Sequence, residues 1–414
     1  MNNANLGLTK DTSVLFATFS LWANGKRMPT NGSVEPLRDF LVPRVKKLIL
    51  IDQLVPGEPD ISYKIEEYSG DKTTFIPHKM GWWFIFLSPF LHVTNTNSTQ
   101  IPFKIRDFLS VIDWVVRDKT VFDYFIGLES VNAIAGIFLR RIGRVKKVIY
   151  YVSDYSPNRY RNGLFNRVYL WLDRFAATNS DYIWDVSKAM QPARIQSGLN
   201  PGLSAPVIHV PNGLYQEQIK SLDVTHIRPY SLVYMGTLGS ENGPDLIIQA
   251  MPKILKKIPK ANLSVIGGGE NIHVLRRIVS ELNLKGSVTL YGYVPDGVKM
   301  AKLLQKCAIG VAPYRSIPGS IRYYADAGKI RAYCAAGLPV ISSDVPPLGK
   351  EVAAYGGAVI VSDTIDEFAK SAVTLFTNRS RYLTMRKNAF NYARNSTWEN
   401  TFIKAFSDMS AYVS

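Results

Sequence analysis

The chain has 414 residues, 46% of them hydrophobic and 20% charged, enough apolar material for two or three cored domains and too much for a disordered or fibrous protein. The 49 Lys and Arg exceed the 33 Asp and Glu to leave +16. Residues 1–200 hold 25 basic and 18 acidic side chains and the remainder 24 and 15, so the excess is not the terminal arm of a nucleic-acid binder. Only Cys307 and Cys334 are present, which excludes a disulfide framework or a Cys-rich zinc site and fits a reducing compartment.

In chain order, residues 1–12 are polar, without the charged head and apolar run of a secretory signal, so the expected location is the cytoplasm. Short β-branched runs then alternate with helical periodicity. Strands are expected at 13–18, 48–52, 122–127, 147–152, 182–186 and 207–210, a pattern that argues for a parallel sheet flanked by helices. Residues 80–93, Met-Gly-Trp-Trp-Phe-Ile-Phe-Leu-Ser-Pro-Phe-Leu-His-Val, break it. They are too short to span a bilayer and Pro89 interrupts a helix. Two readings stand: a buried element of the first domain, or an interfacial anchor in which Trp82 and Trp83 suit the headgroup boundary of an anionic membrane surface.

Residues 211–229, opening Pro-Asn-Gly, read as a linker. A second strand series follows at 232–235, 263–266, 288–291, 309–312, 340–342 and 358–361, with a helix expected over 245–258, where Pro252 can kink it. The fold class is therefore α/β, two Rossmann-like domains facing a cleft. The organisation is an N-terminal domain over 1–210, a linker over 211–229, a C-terminal domain over 230–394 and a final helix over 395–414. Ligands of such sheets sit beyond the carboxyl ends of the strands, where loops and helix N-termini offer free N–H groups.

No Gly-x-x-x-x-Gly-Lys-Ser/Thr occurs, and no Gly-x-Gly-x-x-Gly follows the first strand. Gly267-Gly268-Gly269 follow a strand and precede a helix, serving either a tight turn or a close backbone approach to a ligand. The five histidines, His78, His92, His209, His226 and His273, have no metal-ligand spacing, and there is no Asp-x-Asp to hold a divalent ion under a diphosphate. No metal site and no cofactor is expected. Cations and helix dipoles must then neutralise any phosphate. That points to 314–339: Tyr314 and Arg315 follow a strand, Arg322 and Asp326 lie in a loop, and Gly328-Lys329 open a helix. Lys329 sits in the first turn, where a cation is electrostatically disfavoured unless an anion binds there.

Four stretches in order then resemble the GT-B glycosyltransferases of the family-4-like, group 1 type. They are Val-Tyr-Met-Gly-Thr-Leu from Val233 with Asn-Gly-Pro-Asp-Leu-Ile-Ile-Gln-Ala from Asn242; Leu-Ser-Val-Ile-Gly-Gly-Gly from Leu263; Leu-Tyr-Gly-Tyr-Val from Leu290; and Gly-Lys-Ile-Arg-Ala-Tyr-Cys-Ala-Ala-Gly-Leu-Pro-Val-Ile from Gly328. Asp185-Val-Ser-Lys and Val210-Pro-Asn-Gly resemble the family's signals at the end of the first domain, and Ser396-Thr-Trp-Glu its return segment. The resemblance implies a C-terminal domain that binds a nucleoside-diphosphate sugar, with the base near Gly292 and Tyr293 and the diphosphate near Gly236, Thr237 and Lys329. It implies an N-terminal domain that binds the acceptor, with Asp154 and then Glu129 as candidates for activating its hydroxyl or contacting the transferred sugar. For Asp154 the alternative is a cap on the following turn.

The sequence departs from the family pattern where Thr237 and Asn242 replace two phosphate-binding cations and where Tyr324 and Ala332 replace paired glutamates. Arg315, Arg322 and Lys329 are then expected to carry the charge neutralisation, and Asp326 to substitute in part for the ribose-holding glutamate. The expected activity is metal-independent transfer of a hexosyl or uronosyl group to a lipid-linked glycan or surface polysaccharide, at the inner face of the cell membrane and without nucleic acid. A non-catalytic membrane-associated scaffold is the alternative.

Overall fold

A computed structural model describes residues 6–23, 26–28, 32–54, 64–70, 72–76, 81–83, 86 and 100–412. Two compact units emerge: Met1–Asn212 with Thr401–Ser414, and Gly213–Asn400. The division falls inside the expected linker, and residues 213–229 belong to the second unit. The Leu214 N–H donates to the Ser396 carbonyl at 3.0 Å and a parallel bridge joins Leu214 to Thr397, so this stretch is tied down by backbone hydrogen bonds.

The first unit is built on β1 (Ser13–Ala23), β2 (Lys26–Met28), β3 (Lys47–Leu54), β4 (Lys64–Ser69), β5 (Lys72–Ile76), β6 (Phe122–Leu128), β7 (Val145–Val152), β8 (Tyr182–Asp185) and β9 (Val207–His209). The order is β5-β4-β3-β1-β6-β7-β8-β9, with β2 paired to β1. From β3 to β9 the neighbours are parallel; β4 and β5 add an antiparallel edge. All six expected strands are present. Alternate residues, Leu15, Ala17, Ile49, Ile51, Phe125 and Val148, enter one buried layer, while Val14, Phe16, Leu48, Leu50 and Ile149 are buried on the other face. Burial on both faces is why these strands read as continuous apolar runs.

Asp185, from the motif Asp-Val-Ser-Lys, accepts from Arg194 at 2.6 and 2.9 Å, and Arg194 also donates to Asp173 at 3.1 Å. This buried network clamps the helix Gly163–Asn179 to β8. Phe402 and Phe406 of the last helix stack on Phe40 and Trp184. Of the part of 80–93 that is described, Gly81 is buried and Trp83 half-buried, whereas Trp82 is 76% and Phe86 71% exposed, touching edge to face at 6.1 Å. Met80, Pro89 and His92, like His78, lie outside the described residues.

The second unit holds β10 (Ser231–Met235), β11 (Asn262–Ile266), β12 (Val288–Gly292), β13 (Ile309–Ala312), β14 (Val340–Ser343) and β15 (Ala358–Val361). All are parallel, in the order β12-β11-β10-β13-β14-β15. The chain starts in the middle and reverses direction between β10 and β13, which makes that boundary the topological switch point where such sheets bind ligands. Leu232 and Tyr234 enter one core layer and Val233 the other. Among the described residues no helix is long and apolar enough to cross a membrane.

Candidate functional site

At the switch point β10 is followed by Gly236, which adopts φ +136°, a region open to glycine and strained for other residues, and donates its N–H to the Ile266 carbonyl at 2.9 Å. A Cβ on Gly236 would lie 3.1 Å from Cε and 3.3 Å from Nζ of Lys329. A Cβ on Gly267 would meet the Gly236 carbonyl oxygen at 1.9 Å. These glycines let two strand-end loops and a lysine pack at a distance that side chains forbid.

Lys329 occupies the first turn of the helix Gly328–Ala335, which has no side-chain cap. The residue is only 8% exposed, and its ammonium has no hydrogen-bond acceptor among the described residues. It is held instead between two aromatic faces, 4.2 Å from the Tyr234 centroid and 4.4 Å from that of Tyr314. Burial, and then the nearby Arg322 guanidinium, drive its pKa well below the usual lysine range. Burial likewise raises the Tyr234 and Tyr314 phenols, so neither becomes an anionic partner. A buried cation whose surroundings supply π-faces but no carboxylate is an incomplete ion pair.

The other residues singled out on this unit behave differently. Arg322 stands near the same cluster, with Nε lacking a hydrogen bond and 4.0 Å from a Glu241 carboxylate oxygen. Arg315 is paired with Asp245 at 2.6 Å, so its charge is already balanced. Asp326, expected to substitute in part for the missing glutamate, has a partner of its own. It is buried in a two-pronged ion pair with Arg331, with contacts of 3.1 to 3.3 Å, and turning it toward a ligand would strand that guanidinium. Thr237 is exposed, and its carbonyl accepts from the Tyr234 hydroxyl at 2.7 Å. Gly292 has φ +72° and open space around its missing Cβ, and Tyr293 beside it is 77% exposed, leaving a flat ring at the carboxyl end of β12.

In the first unit Glu129 and Asp154 follow the carboxyl ends of the adjacent parallel strands β6 and β7, where Leu128 is in register with Tyr151. Glu129 adopts φ +66°, a conformation that costs a non-glycine residue about 1–3 kcal/mol and clusters at functional sites. Its carboxylate accepts from the Ser153 hydroxyl at 2.7 Å and the Ser153 N–H at 3.2 Å. Burial raises its pKa, with Arg159 and Lys104 opposing the rise. Asp154 accepts from Arg159 at 2.8 Å. The turn beyond it is closed by Ser156, whose hydroxyl accepts from the Asn158 N–H at 3.3 Å; the capping role considered for Asp154 falls to Ser156. Sequence reasoning missed Tyr234, Arg159 and Lys104. The aromatic box around Lys329 carries no spacing signal, since Tyr234 lies in β10 and Tyr314 in the loop after β13, 80 residues along the chain. Among the described residues no group of three His, Cys, Asp or Glu is placed to hold a metal ion.

Residues 226–394 match the family profile of the glycosyl transferases group 1. An uncharacterized glycosyltransferase of Methanocaldococcus jannaschii is 22% identical over 247 residues, 57% of this chain and 58% of its own length. A GDP-mannose-dependent alpha-(1-6)-phosphatidylinositol monomannoside mannosyltransferase of Mycobacterium tuberculosis is 23% identical over 260 residues, 62% of this chain and 59% of its own. The matched stretch thus spans less than two thirds of either relative. Among solved structures, Anabaena HepE in complex with UDP is similar with a TM-score of 0.66 and 16% identity, covering 97% of this chain and all of that one. That likeness establishes the fold as GT-B.

Proposed function

From a chain of GT-B fold whose residues 226–394 form a glycosyl transferases group 1 domain, we propose a glycosyltransferase that moves a sugar from a nucleoside-diphosphate donor to an acceptor hydroxyl. One observation carries the reading: the buried, unpartnered Lys329 ammonium at an uncapped helix start beside Gly236. A diphosphate supplies the anion this geometry lacks, satisfying the ammonium, free N–H groups and the helix dipole together. The acceptor oxygen attacks the anomeric carbon, the bond from that carbon to the β-phosphate oxygen breaks, and the departing oxygen takes the electron pair. Prepositioned positive charge lowers the barrier because it stabilises an anion that grows only along the reaction. In this reading Lys329 and Arg322 carry that role without a metal. Glu129, whose raised pKa suits a base, or Asp154 takes the hydroxyl proton.

The acceptor in this proposal is a lipid-linked glycan or growing surface polysaccharide at the inner face of an anionic membrane. The +16 charge, the exposed Trp82 and Phe86 and a relative named for a phosphatidylinositol-linked acceptor support it. A thermal-shift panel of nucleotide sugars tests the donor, with a raised melting temperature expected for one or more of them. Sedimentation with vesicles tests the surface: binding should need anionic lipid and fall in Trp82→Ser, and equal binding of the variant and wild type counts against it. The absence of the family's cations at Thr237 and Asn242 favours a second reading, a non-catalytic scaffold. Calorimetry with nucleoside diphosphates decides, because a scaffold shows no heat of binding.

A further inference from the structure

The first unit contains a cavity of about 380 Å³, within the range of small-ligand sites, that no step above uses. Its position is informative. Phe19 near the end of β1, Glu129 after β6 and Arg159 after β7 all line it, and β1 and β6 are the neighbours between which this sheet's strand order reverses. The cavity therefore lies at the carboxyl edge and switch point of the acceptor-side sheet.

The walls are apolar. Ile101, Ile105 and Phe108, at helical spacing on the helix Gln100–Asp118, face Phe165, Val168 and Leu172 on the helix Gly163–Asn179. Three of these six remain open to solvent, Ile101 at 46%, Ile105 at 44% and Val168 at 46%, although burying them against the protein's own core would be favourable. Polar lining is confined to few groups, among them Lys104, Arg159 and Glu129, and two of these three are cations. Arg159 is committed to Asp154 at 2.8 Å, whereas the Lys104 ammonium lies over the Phe19 ring at 5.3 Å. An apolar trough with a lysine ammonium beside the candidate base is complementary to an elongated amphiphile with an anionic head.

We infer that this cavity holds the hydrocarbon chain of the acceptor, an alkyl or isoprenoid phosphate-linked glycan, with its phosphate toward Lys104 and its sugar toward Glu129. The inference rests on the glycosyltransferase reading and adds to it the acceptor's chemical class and seat. A hydrophobic chain accounts for the unspent apolar area, and a phosphate for the Lys104 ammonium, Arg159 being already paired with Asp154.

Calorimetry of the full chain with octyl, decyl and dodecyl phosphate, each below its micelle concentration, tests it. Burial of each methylene should tighten Kd about fourfold, and inorganic phosphate alone should bind far more weakly than dodecyl phosphate. Ile105→Asp, at a position exposed enough to keep the fold, should weaken dodecyl phosphate by at least tenfold, and Val168→Trp should narrow the trough and flatten the chain-length dependence. Affinity that ignores chain length, or that both variants leave unchanged, overturns the inference. A dimer seen by light scattering and lost in Ile105→Asp, without chain-length dependence, would assign the face to a second copy and overturn it equally. Nucleotide-sugar binding on the same samples separates the two readings. Nucleotide bound without chain-length dependence removes the cavity assignment alone. Chain-length dependence without nucleotide removes the glycosyltransferase reading and, with it, the identification of the chain as an acceptor's.

Discussion

Replacing Lys329 by Met keeps a side chain of similar length between Tyr234 and Tyr314 and removes the charge. An unpaired ammonium buried in protein costs several kcal/mol. Two aromatic faces at 4.2 and 4.4 Å return roughly 0.5–2 kcal/mol each. The unliganded protein should therefore carry a net penalty at this residue of roughly 1–3 kcal/mol. For a unit of this size, each kcal/mol moves Tm by about 2–4 °C, so Lys329→Met should melt roughly 2–12 °C higher than wild type without nucleotide. In the presence of the diphosphate the order reverses. Truncating one partner of a desolvated charge pair costs about 2–5 kcal/mol, so Kd should rise by roughly 30-fold or more and the nucleotide-induced gain in Tm should largely vanish. Differential scanning calorimetry with and without donor nucleotide measures both. A variant that melts lower than wild type when empty, yet binds nucleotide as tightly, would falsify the assignment of Lys329 as a strained anion receptor.

Nucleotide binding should also take up protons. Lys329 has a depressed pKa when empty and an ordinary one beside phosphate, so affinity falls as pH rises from the depressed value toward the usual one. Calorimetry in buffers of different ionisation enthalpy reads the proton directly, and no buffer dependence at any pH argues against the linkage. Glu129 has the opposite signature: its folded pKa is raised, so the stability it confers is present below the ordinary glutamate value and lost as pH rises through the folded one. Glu129→Gln and wild type should be equally stable near pH 4 and diverge upward, with the variant the more stable, while turnover falls and donor binding persists. Asp326→Asn should cost about 3–5 kcal/mol in urea unfolding by stranding buried Arg331; a change confined to nucleotide affinity would restore Asp326 to the donor site. Gly236→Ala combines φ +136° with a Cβ 3.1 Å from Lys329 and should weaken nucleotide binding more than it lowers Tm.

Twelve strands were legible because each is a short apolar run in a parallel sheet, most of them buried on both faces. The three that were not show the limit of that signal. Lys64–Ser69 and Lys72–Ile76 read Lys-Ile-Glu-Glu-Tyr-Ser and Lys-Thr-Thr-Phe-Ile, polar hairpin strands that exist by pairing at a sheet edge, and β2 is three residues long. The site divides in the same way. Lys329 stood out in the sequence because a cation at a helix start violates a local electrostatic rule, and local rules act over one turn. Asp326 and Arg331, five residues apart across a loop and helix start, carry no such mark, and neither do Arg315 and Asp245, which are 70 residues apart.

By itself the sequence determined where the parallel strands lie and which few charges deserved suspicion, since hydrophobic periodicity and helix dipoles are properties of neighbours in the chain. Only the tertiary structure decided which of those charges are paired within the protein. Desolvation and pairing depend on what the fold brings alongside: Arg315 and Asp326 found partners, Lys329 found two aromatic rings, and Glu129 found a serine and an apolar trough.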